Sequence, residues 1–162
     1  MFEIRPIRQE EVVIAKQLIF AVAHEVFHDP LPLEESTKLY VGRGELADMD
    51  DVQRNYFENG GAFLVMLDDK RIIGTGAIRR LEKDTCELKR LWFDTQYHGR
   101  GLGYRMMMEL FSIARAGGYK KMRLQTDARY QSRALSLYRR LGFYDIPMYR
   151  ESKDDVSLEI RL

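Results

Sequence analysis

Cysteine is almost absent from this 162-residue chain; Cys86 stands alone. No internal disulfide can form, and a zinc site built on several thiolates is excluded. Proline is sparse, with four residues, and neither an internal repeat nor a low-complexity tract occurs, which argues against a disordered chain. No apolar stretch approaches the ~20 residues that a bilayer-crossing helix needs. The opening segment, MFEIRPIR, lacks the charged-then-apolar order of a secretion signal. A membrane is therefore not an expected partner, and the cytoplasm is the expected location. Nor does one sign of charge prevail: 26 Lys and Arg face 25 Asp and Glu, a formal net charge of +1. That balance, with no RNP or zinc-finger pattern, argues against nucleic acid as a partner. His24 and His28 lie four residues apart, but no third ligand is evident, and no metal is expected.

What the chain does contain is the composition of a folded domain, 45% hydrophobic and 31% charged, at a length near the commonest domain size. Residues 1–162 are read as one domain. The near-zero net charge conceals an asymmetry. Residues 1–60 carry 12 acids and 6 bases, whereas residues 99–140 carry 2 acids and 10 bases. A basic excess of that size either attracts a polyanion or reflects solvated helix positions.

Periodicity predicts a mixed α/β chain of about seven strands and about four helices. Residues 2–8 alternate as a strand, and residues 9–27 place Val12, Ala15, Ile19, Val22, Ala23 and Val26 at helical spacing. Residues 33–44 resist assignment and are read as a mobile segment; residues 45–57 are predicted as a second helix with Leu46, Met49, Val52 and Tyr56 on one side. Gly60 and Gly61 break it. A hairpin follows, 62–67 with 71–80, in which Gly74 and Gly76 suggest a bulge or a close backbone approach. Strand 85–93, a helix opening at Gly101 or Gly103 and running to 116, and strand 121–126 form a βαβ unit, so part of the sheet is parallel. Met107, Met108 and Phe111 widen the apolar face of that helix. Helix 131–141 and strands 143–146 and 156–162 complete the chain.

The chemistry is concentrated in Leu91-Trp-Phe-Asp-Thr-Gln-Tyr-His-Gly-Arg-Gly-Leu-Gly-Tyr-Arg105. A strand runs into three alternating glycines and opens a helix. Glycines allow a tight bend and close approach to backbone N–H groups; the first N–H groups of a helix lack partners and add its positive dipole end. Arg100 and Arg105 flank the turn. The pattern suits a phosphate or pyrophosphate. It is neither the dinucleotide fingerprint, which requires glycine where Tyr104 or Met106 stands, nor a P-loop, which requires Gly-Lys-Ser/Thr.

The pattern that does occur is Gln-x-x-Gly-x-Gly, at Gln96, Gly99 and Gly101. Here the sequence resembles the GNAT superfamily of acetyl-CoA-dependent N-acetyltransferases. Glu87-Leu-Lys-Arg-Leu-Trp-Phe93 resembles that family's central strand, and Ala134-Leu-Ser-Leu-Tyr-Arg-Arg-Leu-Gly-Phe143 its later A-x-x-L-Y-x-x-L-G-F helix. The resemblance covers nearly the whole chain and is most specific over residues 86–143. Gln131 departs from it, since many members carry asparagine three residues before the alanine. The resemblance implies a splayed sheet in which the pantetheine arm of acetyl-CoA pairs with the backbone of Leu91, Trp92 and Phe93. It implies that the loop of Gln96, Gly99, Arg100, Gly101, Leu102, Gly103, Tyr104 and Arg105 holds the pyrophosphate. Gln131 and Arg133 complete the expected cofactor set. Acetyl-CoA then serves as acyl-donor co-substrate, and the basic excess of residues 99–140 has a polyanionic partner.

The reaction so implied is direct attack by an amine of a small molecule or peptide on the thioester, within a ternary complex. Most such amines are protonated near neutral pH and must lose a proton first. The departing thiolate calls for an acid, and by resemblance this is Tyr138, which as a bare sequence feature reads as a core aromatic. Glu87 is the candidate base; six residues from Phe93, it is expected on the same strand face. Its alternative is an ion pair with Arg79 or Arg80. Cys86 is read as having no nucleophilic role, and His98 as exposed. Tyr144, Met148 and Tyr149 are expected along the acceptor pocket, and the acidic 45–58 region either attracts a cationic amine or is a solvated helix face. A non-catalytic acyl-CoA-binding module is the alternative function, and a homodimer is left open.

Overall fold

The computed structural model describes residues 1–152 and 155–162. They form one seven-stranded sheet in the order β1-β2-β3-β4-β5-β7-β6. The strands are β1 Phe2–Pro6, β2 Ala62–Asp68, β3 Arg71–Glu82, β4 Thr85–Phe93, β5 Lys121–Asp127, β6 Tyr144–Ile146 and β7 Asp155–Arg161. Only β4 and β5 run parallel among these pairings. Helices α1 Val12–Val26, α2 Leu33–Gly42, α3 Leu102–Ala116 and α4 Ser132–Leu141 join them.

Two apolar layers enclose the sheet. On one face Met106, Met107, Leu110, Phe111 and Ala114 of α3 and Tyr138 of α4 pack on Ile73, Ile78, Leu88, Phe93 and Met122. On the other, Val12, Ala15, Ile19 and Phe20 of α1 pack with Leu46, Met49, Val52 and Tyr56 on Phe63, Val65, Leu67 and Ala77. Met108, expected on the buried face of α3, is exposed.

Two stretches differ from expectation. Residues 33–42 are helical, and the pattern was illegible because the helix buries Ser36 while Leu33, Leu39 and Val41 face solvent. Polar bonds hold it: Ser36 and Tyr40 both donate to the Asp29 carboxylate. Residues 45–57 are not one α-helix. Leu46 sits at φ 60°, followed by a 3-10 turn, Ala47–Asp51, and a π turn, Gln53–Phe57. The predicted apolar side is buried nonetheless, because a three-residue spacing from Leu46 to Met49 to Val52 also suits a 3-10 turn.

Strands β4 and β5 pair only at Thr85–Lys121, Cys86–Met122 and Glu87–Arg123. Beyond Glu87 they separate, so the edge of β4 from Leu88 to Phe93 has no strand partner on that side among the described residues. The separation coincides with a bulge. Thr75 faces Trp92 but Ala77 faces Lys89, so β4 holds an extra residue there, and Arg90 adopts φ 57°. A non-glycine residue in that region costs about 1–2 kcal/mol. The surroundings hold it in place: Thr75 Oγ1 donates to the Arg90 carbonyl at 2.7 Å, and the Arg90 side chain binds Asp48 through Nε at 3.1 Å and Nη2 at 2.5 Å. The bulge also reverses the strand's alternation. Glu87 and Phe93, expected on one face, lie on opposite faces, with Phe93 in the α3 layer and Glu87 opposite Arg79 on the other. Gly74 makes the close approach that its sequence position suggests, since a Cβ there would lie 2.3 Å from the Phe93 ring.

Thr75→Val keeps the side-chain volume and leaves the part-buried Arg90 carbonyl without this donor. A loss of about 1–3 kcal/mol in urea-unfolding stability is expected. An unchanged midpoint would show that the bulge does not depend on this bond.

Candidate active site

A cleft of about 1170 Å³ opens where β4 and β5 part. Its walls come from the end of β4, the glycine loop, the start of α3, one face of α4 and the C-terminal turn of α1. Leu91, Trp92, Phe93, Gly99, Gly101, Leu102, Gly103, Tyr104, Gln131, Arg133 and Tyr138 all line it. Sequence reasoning had selected each. Gln96, Arg100 and Arg105, also selected, are exposed residues that do not line the cleft. The Arg100 guanidinium lies over the Tyr97 ring, 4.9 Å from its centroid.

The loop has the local geometry of an anion cradle. Gly99 and Gly101 adopt φ 79° and 74°, and a Cβ at either would meet no atom within 4 Å, so the space above them is open. Helix α3 begins with no side-chain cap, and its first internal bond runs from Arg105 N–H to the Gly101 carbonyl at 3.2 Å. The N–H groups of Leu102, Gly103 and Tyr104 therefore precede the helical ladder and are available to a ligand. Arg133 and Arg140, on α4, supply positive charge along the same cleft. Gln131 stands at the start of α4 without a side-chain capping bond, and its Oε1 accepts a 2.6 Å bond from Thr126 Oγ1.

Tyr138 is 5% exposed and packs edge-on against Phe143 at 5.6 Å. Its hydroxyl bonds to no described residue, yet it is not among enclosed unsatisfied atoms, so its free face is the cleft. Burial raises its pKa above the ordinary phenol value, so it carries its proton throughout the neutral range.

Glu87 lies outside the cleft lining. It is 1% exposed and accepts from Arg79 Nη2 at 3.3 Å, Arg150 Nη2 at 3.0 Å and Tyr149 Oη at 2.8 Å. The pairing with Arg79 is thus present. Burial pushes the carboxyl upward, but the bonds from Arg150 and Tyr149 and the positive charges of Lys89 and Arg150 outweigh it and hold it below the usual range. Cys86, enclosed in the α3 layer, has its thiol pushed up to about 12 by burial, and a neutral thiol is a poor nucleophile.

Other expectations moved. His98 is half-buried, lines the cleft and places Nε2 2.9 Å from the Phe93 carbonyl. Tyr144, Met148 and Tyr149 do not line the cleft; Tyr144 bonds to Glu159 and Tyr149 to Glu87. The cleft lining also includes Val22, Glu25, Val26, His28 and Tyr130. Glu25 is the one carboxylate among the lining residues. These positions carry no motif; Pro30, just beyond the end of α1 at Val26, is the only sequence sign that the helix stops there. In the acidic 45–58 region Asp48 pairs with Arg90 and Asp50 with Lys16, while Glu45, Asp51 and Glu58 make no ion pair among the described residues. His24 points at the Leu31 carbonyl, and no metal-binding cluster of three occurs among the described residues. None of their helices is long and apolar enough to cross a membrane.

This geometry has known counterparts. Residues 21–143 match the acetyltransferase (GNAT) family profile. The chain is 30% identical over 118 residues to an uncharacterized N-acetyltransferase, YjgM, of Escherichia coli, covering 71% of this chain and 70% of that one. It spans 52% and 48% of two mammalian N-acetyltransferases that it also matches. Among solved structures, a GNAT-family acetyltransferase of Staphylococcus aureus superposes with a TM-score of 0.84 at 17% identity, covering 99% of each chain. The PaiA N-acetyltransferase of Thermoplasma acidophilum, solved with coenzyme A, superposes at 0.82 with 18% identity, over 100% of this chain and 99% of that one. With a profile match over more than half its length, a split parallel pair and a glycine cradle at the split, the chain belongs to the GNAT family of acetyl-CoA-dependent acyltransferases.

Proposed function

We propose that this chain, as a single domain, moves the acetyl group of acetyl-CoA directly to the amine of a small molecule or peptide. The observation that carries the proposal is the cleft itself. One continuous space joins an anion cradle at the start of α3, an unpaired strand edge on β4 and the hydroxyl of Tyr138. The cradle and the arginines of α4 suit the cofactor's phosphates. The free edge of β4 suits its amide-bearing arm, which adds like a strand and leaves the thioester at the split. Holding amine and thioester together supplies much of the acceleration. A backbone N–H near Phe93 stabilises the carbonyl oxygen as it gains charge.

Tyr138 then protonates the departing thiolate, for which a phenol kept neutral by burial is suited. Glu87 enters as a charge that organises the acceptor side: with three donors on its two oxygens it is a weak base. The ammonium proton leaves to water on the side walled by Glu25. No covalent acyl-enzyme is needed, in keeping with the enclosed, neutral thiol of Cys86.

Gly101→Glu places a side chain and a negative charge in the cradle. Calorimetry should show coenzyme A affinity falling at least tenfold. Gly118→Glu, which bears the same backbone strain at φ 84° at the far end of α3, should leave it unchanged. Equal affinity in both folded variants would remove the loop from the site.

Tyr138→Phe keeps the ring packing and removes only the hydroxyl. Turnover should fall by roughly 10–1000-fold, with little change in thermal midpoint or cofactor affinity. An acyl donor with a more acidic thiol should rescue the variant more than the parent enzyme. Equal rates for both proteins with both donors would show that Tyr138 is packing alone.

A further inference from the structure

The sheet face opposite α3 and α4 holds more positive charge than its carboxylates engage. There β4 places Glu87 and Lys89 opposite Arg79 and Ala77 of β3, and the segment before β7 brings Tyr149 and Arg150 over them. Arg79 and Arg150 share Glu87; Arg90 takes Asp48; Arg123 takes Glu159 and the largely exposed Glu82. Lys89 is partly buried and has no hydrogen bond or ion pair with any described residue. Burial, then the neighbouring Arg90 charge, lowers its pKa, as expected of a cation short of a counter-ion.

Arg79 engages Glu87 through one nitrogen only, Nη2, leaving Nε and Nη1 without partners among the described residues. Lys89 faces Ala77, so Arg79, two residues along β3, is its diagonal neighbour. Long side chains at such positions reach one another. Two cations thus lie close together, and the carboxylates nearest them, Glu87 and Asp48, already accept from Arg150 and Arg90. Because of the bulge, Lys89 also shares its sheet face with Trp92, which lines the cleft. A partly enclosed positive surplus is costly unless an anion meets it.

We propose that the acceptor amine carries an anionic group, a carboxylate within a few bonds of its nitrogen, and that Lys89 and Arg79 bind it. This deepens the acetyltransferase reading and rests on it. The amine then faces the split while the carboxylate lies on the sheet face, which makes amino-acid-like acceptors favoured. Polyamines are disfavoured on this face: they bring more positive charge where it is already in excess, and its carboxylates Glu87 and Asp48 are paired.

The test compares thiol release from acetyl-CoA with pooled amino acids, the same amino acids as amides, and polyamines, for the parent enzyme and for Lys89→Met and Lys89→Arg. Expected is a preference of at least tenfold in kcat/KM for the free carboxylates. Lys89→Met should reduce it by ~10–100-fold through KM, the usual worth of a charge-assisted contact. Lys89→Arg should recover part of it, and acetyl-CoA affinity should not change. Equal rates on acids and amides, or a preference that survives Lys89→Met, would overturn the anion site while leaving acetyl transfer intact. If no amine releases thiol although coenzyme A binds, acetyl transfer itself fails. Calorimetry with pooled N-acetyl amino acids against their amides then decides the anion site: Lys89-dependent binding of the acids supports it, and equal or no binding overturns it.

Discussion

The parting of β4 from β5 after Glu87 is the constraint on which the site depends. A parallel pair zipped to its end would leave no free strand edge, no cleft and no passage between the two faces of the sheet. The bulge at Arg90 accompanies the parting, and both its backbone and its side chain are tied. The Thr75 hydroxyl takes the carbonyl, and Asp48 takes the guanidinium through two bonds. Asp48 also accepts from Tyr56, so the irregular 46–57 segment is anchored to the strand it faces. Backbone strain of this kind persists only where surrounding bonds over-determine it.

The same bulge separates two kinds of chemistry. On the α3 side the split meets Phe93 and Tyr138 in an apolar layer, which keeps a phenol protonated. On the opposite side it meets Glu87, Lys89 and the arginines, a polar layer that is rich in fixed charge. A strand that reverses its alternation supplies both environments from one short stretch of sequence.

Electrostatics divides the cleft in turn. The cofactor end relies on unpaired helical N–H groups and on α4 arginines that are exposed and therefore screened by salt. The sheet face of Glu87 and Lys89, beside the cleft, relies on partly enclosed ion pairs, which are less screened and whose cost is recovered only when every partner is present. The regional excess of bases in residues 99–140 thus has two fates. Arg133 and Arg140 line the cleft, whereas Arg100 and Arg105 stay outside it and Arg139 pairs with Asp145.

Much of this was legible from residue order. The glycine spacing, the strand before it and the tyrosine in the α4 motif are local patterns, and local geometry follows from them: positive φ needs glycine, and an uncapped helix start exposes its N–H groups. Alternation and three-to-four-residue spacing likewise set the strand and helix order, because they report which side chains leave water. The helix at residues 33–42 escaped since its burial is a serine bonded to Asp29, which hydrophobic periodicity does not register. Only the tertiary structure decided the rest. The face on which Glu87 and Lys89 lie depends on one extra residue in β4, stabilised by Asp48 and Thr75 from distant parts of the chain. Which charges are paired and which lack a partner among the described residues depends on strands that meet across the sheet, and no pattern along a single segment encodes that balance.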